Sequence, residues 1–206
     1  MGKRIGIMGG TFDPIHIGHL LIAEAAADQL CLDTVLFMPA ARPPHKEDNP
    51  DRASGEDRVK MVELAIEGND RFRLSLYEMQ HQGKSFSYKT LEALRNVNPE
   101  NELFFIMGAD SLFTFDTWVE PGKIAKAASL AACIRDHCTK DQLEEAAQSL
   151  KDRFGARVYL VDSPNIDISS TDIRKWLKAG RSVKYFVPDR VIDHIRSAGL
   201  YTTDET

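Results

Sequence analysis

Short apolar runs at Ile5–Met8, Thr34–Met38, Leu103–Met107, Leu130–Ile134 and Val158–Val161 carry almost no charge, and stretches of helical periodicity separate them. A charge-poor run of this length suits a strand buried on both faces, the environment of a parallel sheet covered by helices. Phe72–Leu76 is a weaker strand candidate. The helical patterns lie at Gly18–Gln29, Ser54–Glu67, Tyr88–Asn96, Glu120–Ala128 and Thr139–Phe154. Ser54 with Asp57 resembles a helix-capping signal, Thr139 with Gln142 fits the capping box, and Pro121 suits a first helical turn, where its missing N–H has no partner to lose. After Val161 the pattern turns purely helical, with Ser169–Ala179 and Pro188–Ser197 each followed by a glycine, Gly180 and Gly199. The expectation is an α/β, Rossmann-like parallel sheet flanked by helices, ending in a helical segment over about 169–199. A chain of 206 residues holds one well-packed core and is short for two, so residues 1–206 are read as a single domain.

Composition narrows the partners. At 43% hydrophobic and 28% charged residues the chain is soluble and globular. Its formal net charge of −5 argues against a general binder of nucleic acid or anionic membrane. No apolar run reaches the length of a bilayer span. The basic start Met1-Gly2-Lys3-Arg4 is not followed by the apolar stretch and cleavage site of a signal peptide. Cys31, Cys133 and Cys138 form an odd set without paired spacing and read as reduced thiols of a cytoplasmic protein. A homo-oligomer is compatible with all of this.

The first strand runs directly into GGTFDPIHIGH, residues 9–19. In an open parallel sheet, ligands bind outside the carboxyl ends of the strands. Gly9 and Gly10 sit there and let backbone N–H groups approach a phosphate. Asp13-Pro14 sets a turn, and Gly18 lets the helix start tightly against the loop. His16 and His19 are spaced i, i+3 on one side of the first turn, where the macrodipole already favours an anion. Two imidazoles there add donors for charge building on a phosphoryl group. One such histidine alone is more often structural, and a pair can bind a metal, but no third ligand stands nearby. The joint pattern favours phosphate.

Ile168-Ser169-Ser170-Thr171-Asp172-Ile173-Arg174 is the second informative stretch. Its hydroxyls precede a helix, and any of them could be an ordinary cap. Arg174 tilts the reading. A cation in a helix's first turn opposes the macrodipole, and an anion bound between it and the helix amides reverses that sign. Gly108-Ala109-Asp110 follows another strand, which suits Asp110 to a ribose hydroxyl. The Pro-rich stretch Ala40–Ala53 is long enough to be an active-site loop. Within it Pro43-Pro44-His45-Lys46 offers a mobile cation, although a solvated lysine is the commoner explanation. Trp118 is as readily a core residue as a stacking one.

These stretches together resemble the nucleotidyltransferase α/β-phosphodiesterase superfamily, and Gly9–His19 resembles the form found in bacterial nicotinate-nucleotide adenylyltransferases. The resemblance covers nearly the whole chain and includes the ISSTxIR, PPHK and GxD motifs. Ser85–Leu91 resembles the SYTxDTL segment, departing at Phe86, Ser87 and Lys89. Arg135 is followed by Asp136-His137-Cys138 where the family usually has Pro-Gly. The resemblance implies adenylyl transfer from ATP to nicotinate mononucleotide, giving deamido-NAD and pyrophosphate, with Mg²⁺ accompanying ATP. It implies catalytic roles for His16, His19, Lys46 and Arg174. It places Gly9, Gly10, Thr11, Phe12, Gly18, Gly108, Asp110, Ile168, Ser169, Ser170 and Thr171 against ATP. It places Asp13, His45, Phe86, Ser87, Trp118 and Arg135 against the mononucleotide, with Trp118 stacked on the pyridine ring. The attacking phosphate oxygen is already ionised at neutral pH, so no general base is required. The alternatives are a sister enzyme acting on phosphopantetheine or nicotinamide mononucleotide, and a nucleotide-binding sensor without turnover.

Overall fold

Each charge-poor run becomes a strand of one sheet in the computed structural model, which describes residues 2–41, 52–81, 84–134 and 139–202. The strands are β1 (Arg4–Gly10), β2 (Thr34–Pro39), β3 (Phe72–Leu74), β4 (Glu102–Gly108), β5 (Ser129–Cys133) and β6 (Val158–Val161). They form a six-stranded sheet in the order β3-β2-β1-β4-β5-β6, and every pairing is parallel. All carboxyl ends therefore emerge along one edge. The strand order reverses between β1 and β4, which opens the crevice where ligands of such sheets bind.

Burial on both faces explains why the strands lack polar alternation. Along β4, Phe104 and Ile106 join one core, while Leu103, Phe105 and Met107 join the other. The first core is covered by α1 (Ile17–Gln29), α2 (Gly55–Ile66), α8 (Ser170–Lys178) and α9 (Asp189–Ser197). The second lies under α4 (Ser87–Val97), α5 (Asp110–Thr114), α6 (Pro121–Ala127) and α7 (Lys140–Phe154), with Tyr77 of the short α3 (Tyr77–Gln80) packed at its margin. The C-terminal helices thus share a layer with α1, the helix that carries His19.

Local signals are used as their chemistry requires. Ser54 Oγ accepts from the Asp57 amide at 3.0 Å. The Thr139–Gln142 capping box closes in both directions, and Pro121 opens α6. Gly180 and Gly199 take positive φ beyond α8 and α9, as a left-handed helix exit demands. One expectation needs correction, and some short elements were not foreseen. The strand expected over Phe72–Leu76 ends at Leu74, because the chain turns into α3. In addition, α5 and the 3₁₀ turn at Phe115–Thr117 had no visible signal, being too short for a hydrophobic period to register.

Candidate active site

The loop after β1 enters α1 through two stacked imidazoles. The helix starts at Ile17, so His16 is its N-cap, one position outside the first turn, and His19 is the third helical residue. The rings lie 3.7 Å apart, centre to centre, and 35° from parallel. The His16 backbone N–H donates to His19 Nδ1 at 3.2 Å. An amide can only donate, so His19 Nδ1 presents its lone pair and the ring proton resides on Nε2. Phe12 braces the same ring edge-on at 5.1 Å and itself takes φ of 51°, strain of the kind that concentrates at functional loops. His16 is buried and His19 half-buried.

The expected role of Gly18, a tight helix start against the loop, has a steric basis. A Cβ at Gly18 would lie 3.1 Å from Cε1 and Nδ1 of His16. The glycine thus makes room for the imidazole beside it. Gly10 is constrained in the same way by the Phe12 ring, 3.0 Å from such a Cβ. Gly9 is not: its Cβ would meet only Phe105 at 3.7 Å, an ordinary contact.

The second motif docks onto the first. Ser169 is the N-cap of α8, its Oγ accepting from the Asp172 amide at 3.1 Å. Ser170 and Thr171 lie inside the helix and not before it, which corrects the expectation that all the hydroxyls precede it. Ser170 Oγ donates to the Pro14 carbonyl at 2.9 Å. Arg174 Nη1 donates to the Asp13 carbonyl at 2.6 Å and lies 3.6 Å from Asp13 Oδ2. Arg174 is the fifth helical residue, past the first turn, so its conflict with the macrodipole is weaker than the sequence suggested. Asp13 already meets its charge. Ile168 is buried in the core beneath.

Asp13 is the joint of this arrangement and is only 3% exposed. Its Oδ1 accepts from the Ala53 amide at 3.1 Å and from the Tyr201 hydroxyl at 2.6 Å. Arg58, 2% exposed on α2, stands beside it. Arg58 Nη1 donates to the Thr11 carbonyl at 2.9 Å and to the Ala40 carbonyl at 2.8 Å, tying the loop after β1 to the end of β2. Burial lowers its pKa, and the Asp13 charge opposes that shift. Sequence reasoning missed Arg58, although a signal was present: it occupies the apolar stripe of α2 with Met61, Val62 and Ile66, where a cation is out of pattern. Replacing it with leucine leaves two carbonyls without their donor. Arg58→Leu is expected to destabilise the fold by about 2–4 kcal/mol, read as a midpoint roughly 5–10 °C lower in a thermal melt. An unchanged midpoint would show that water replaces the guanidinium at no cost.

The remaining candidates reach the same edge of the sheet. Gly108 ends β4, and Asp110 is exposed at the first position of α5. Trp118 is half-buried, 6.0 Å from the Phe105 ring and 5.7 Å from Phe115, and Phe105 is the ring that Gly9 faces. A short relay joins the start of α4 to the loop. The Ala40 amide bonds the Gly10 carbonyl at 2.9 Å, and the Ala41 amide bonds Ser85 Oγ at 3.1 Å. Phe86 is the N-cap of α4 and provides no side-chain cap. Ser87 is half-buried at its first turn. Behind it Thr90 donates to Glu78 Oε1 at 2.9 Å. Burial raises the Glu78 pKa, and bonds from Thr90 and Ser85 pull it back. His45, Lys46 and Arg135, with the rest of Pro43–Lys46 and Asp136–Cys138, lie outside the described residues.

Comparison with known proteins agrees with this geometry. A cytidylyltransferase-like family model matches residues 7–176. A Thermus thermophilus protein named probable nicotinate-nucleotide adenylyltransferase is 44% identical over 198 residues, covering 96% of this chain and 99% of its own. One of the same name from Exiguobacterium sibiricum is 42% identical over 200 residues, covering 97% and 100%. Among solved structures, a Plasmodium falciparum nicotinic acid mononucleotide adenylyltransferase complexed with NaAD superposes with a TM-score of 0.78 at 20% identity, over 97% of both chains. That likeness is one of fold.

Proposed function

The chain belongs to the bacterial nicotinate-nucleotide adenylyltransferases within the cytidylyltransferase-like family, and from that premise we propose that it transfers the adenylyl group of ATP to nicotinate mononucleotide. The products are deamido-NAD and pyrophosphate, and the reaction is a step of NAD biosynthesis. One observation carries the reading: the amino-terminal half of α8 is fastened to the Asp13-Pro14 loop through Ser170 and Arg174. In this reading the two motifs, joined through that loop, supply their donors to one polyphosphate.

The chemistry asked of these residues is positioning. A mononucleotide phosphate oxygen attacks the α-phosphorus of ATP, and the bond to the β-phosphate bridge breaks. Charge builds on the non-bridging oxygens and on the departing pyrophosphate. In the proposed roles His16, His19, Lys46 and Arg174 bind that charge. Gly9, Gly10, Thr11, Phe12 and Gly18 provide the close backbone surface, and Ile168–Thr171 the second. Gly108 and Asp110 take the adenosine side. Phe86, Ser87, Trp118, His45 and Arg135 take the mononucleotide. Asp13 acts here through its joint position, since its carboxylate already has partners in the chain.

We assign Mg²⁺ to the reaction as a companion of ATP, where it would neutralise phosphate charge. The donors assembled here are imidazole, guanidinium and amide groups, which suit phosphate and not a bare cation, so the ion's ligands would be phosphate oxygens and water. No helix among the described residues is long and apolar enough to cross a membrane. The cytoplasm is the proposed compartment.

Pyrophosphate release is the test. The purified protein is incubated with ATP, Mg²⁺ and nicotinate mononucleotide, nicotinamide mononucleotide or phosphopantetheine in turn. Release with the first is expected. Release only with phosphopantetheine assigns a sister activity, and ATP binding without release from any acceptor assigns a sensor.

A further inference from the structure

We propose that Tyr201 is a positioning residue of the phosphate site: its hydroxyl fixes the Asp13 carboxylate and moderates that carboxylate's pull on Arg174, 3.6 Å away. This rests on the reading of that site as one for ATP phosphates.

Tyr201 lies beyond α9 and is 7% exposed. Its hydroxyl reaches Asp13 Oδ1 across 188 positions of sequence. The backbone takes φ of 58° to bring the ring in, a conformation that a bulky L-residue adopts only when its surroundings hold it there. Burial and the Asp13 charge raise the phenol's pKa above its ordinary value, so the hydroxyl stays a donor at every working pH. The carboxylate it addresses has three other connections. Ala53, which precedes the cap of α2, donates to the same oxygen. Arg174 lies near the other oxygen and also holds the Asp13 backbone carbonyl. Arg58 contributes positive charge beside the pair.

These contacts set a balance. Arg174 has two claims on its charge: Asp13 within the chain and, in the proposed function, a phosphate from outside. A hydroxyl donating to Asp13 Oδ1 satisfies part of that carboxylate and weakens its hold on the guanidinium. Without the hydroxyl, the carboxylate draws Arg174 more strongly and its own orientation is less fixed. Both effects make the arginine a poorer phosphate ligand, and neither changes a group that touches the reacting atoms.

Tyr201→Phe keeps the ring and removes the donor. Its dissociation constant for ATP, measured by calorimetry with Mg²⁺ and no acceptor, is expected to rise about tenfold, the scale of one hydrogen bond to a charged group. KM for ATP should follow, with kcat at saturating ATP changing little. The loss should disappear in an Arg174→Lys background, because the effect is routed through that guanidinium. Unchanged ATP affinity, or equal losses in both backgrounds, overturns the inference and leaves Tyr201 a packing residue. If thermal melts show that the phenylalanine variant does not fold, Asp13→Asn decides. It keeps an acceptor for Tyr201 and Ala53 while removing the charge that competes with phosphate for Arg174, so ATP binding is expected to tighten, and unchanged or weaker binding overturns the inference. The two readings separate cleanly. A wild-type chain that binds ATP but converts no nicotinate mononucleotide overturns the proposed function alone, and one that binds no ATP overturns both.

Discussion

Replacing His19 with alanine is expected to lower kcat by roughly 100- to 1,000-fold, the cost typical of losing one donor aimed at developing charge, while the dissociation constant for ATP changes little. The structure gives the expectation a mechanism. The His16 amide occupies His19 Nδ1, which leaves the proton on Nε2 and makes that nitrogen the donor. Phe12 and the stacked His16 ring hold the imidazole from two sides, so little reorganisation accompanies the chemical step. A bond that strengthens as charge builds on the phosphoryl group lowers the barrier without tightening the ground state. Steady-state kinetics and equilibrium ATP binding of the same variant measure the two parts separately. Near-normal turnover with only a raised KM would assign His19 to uniform binding and remove it from the catalytic group.

The second large effect is selectivity for the acid over the amide. Relative kcat/KM for nicotinate and nicotinamide mononucleotides is expected to favour the acid by a factor of about 5 to 150, the consequence of leaving one buried polar group unpaired at roughly 1–3 kcal/mol. The proposed recognition element is the start of α4, where Phe86 leaves the first turn without a side-chain cap. Helix-start amides are donors and suit a carboxylate, whereas an amide substrate presents a donor of its own. Ser85 is tied to Ala41, and Thr90 to Glu78, so both flanks of that turn are fixed before substrate arrives. Phe86→Tyr tests where recognition resides: backbone recognition predicts an unchanged ratio. Equal kcat/KM values for the two mononucleotides in the wild type would show that the helix start does not read the pyridine substituent.

The layered sheet could be read from the sequence because burial on both faces leaves a local trace: each strand is a short run without charge. The HxGH stretch could be read because strand, turn and helix cap are consecutive. What could not be read depends on residues distant in the chain. Nothing local marks Arg174 as the partner of Asp13, 161 positions away, and no period of the C-terminal helices singles out a tyrosine beyond their end. Gly18 was legible in part. Its presence was visible and its place in the motif was clear, but the space it vacates belongs to the His16 ring, which only the fold reveals. Arg58 could have been found: a cation on the apolar stripe of α2 is an inconsistency within one helix.

The contact between residues 13 and 201 also orders events in time. Synthesis proceeds from the amino end, so the nucleotide loop is made early, while the hydroxyl that completes its hydrogen bonding is 188 positions behind. A nascent chain released at any point before Tyr201 carries the recognisable motif with an unfinished joint. The hydrogen bonding of Asp13 is thereby completed only after α9 has been translated.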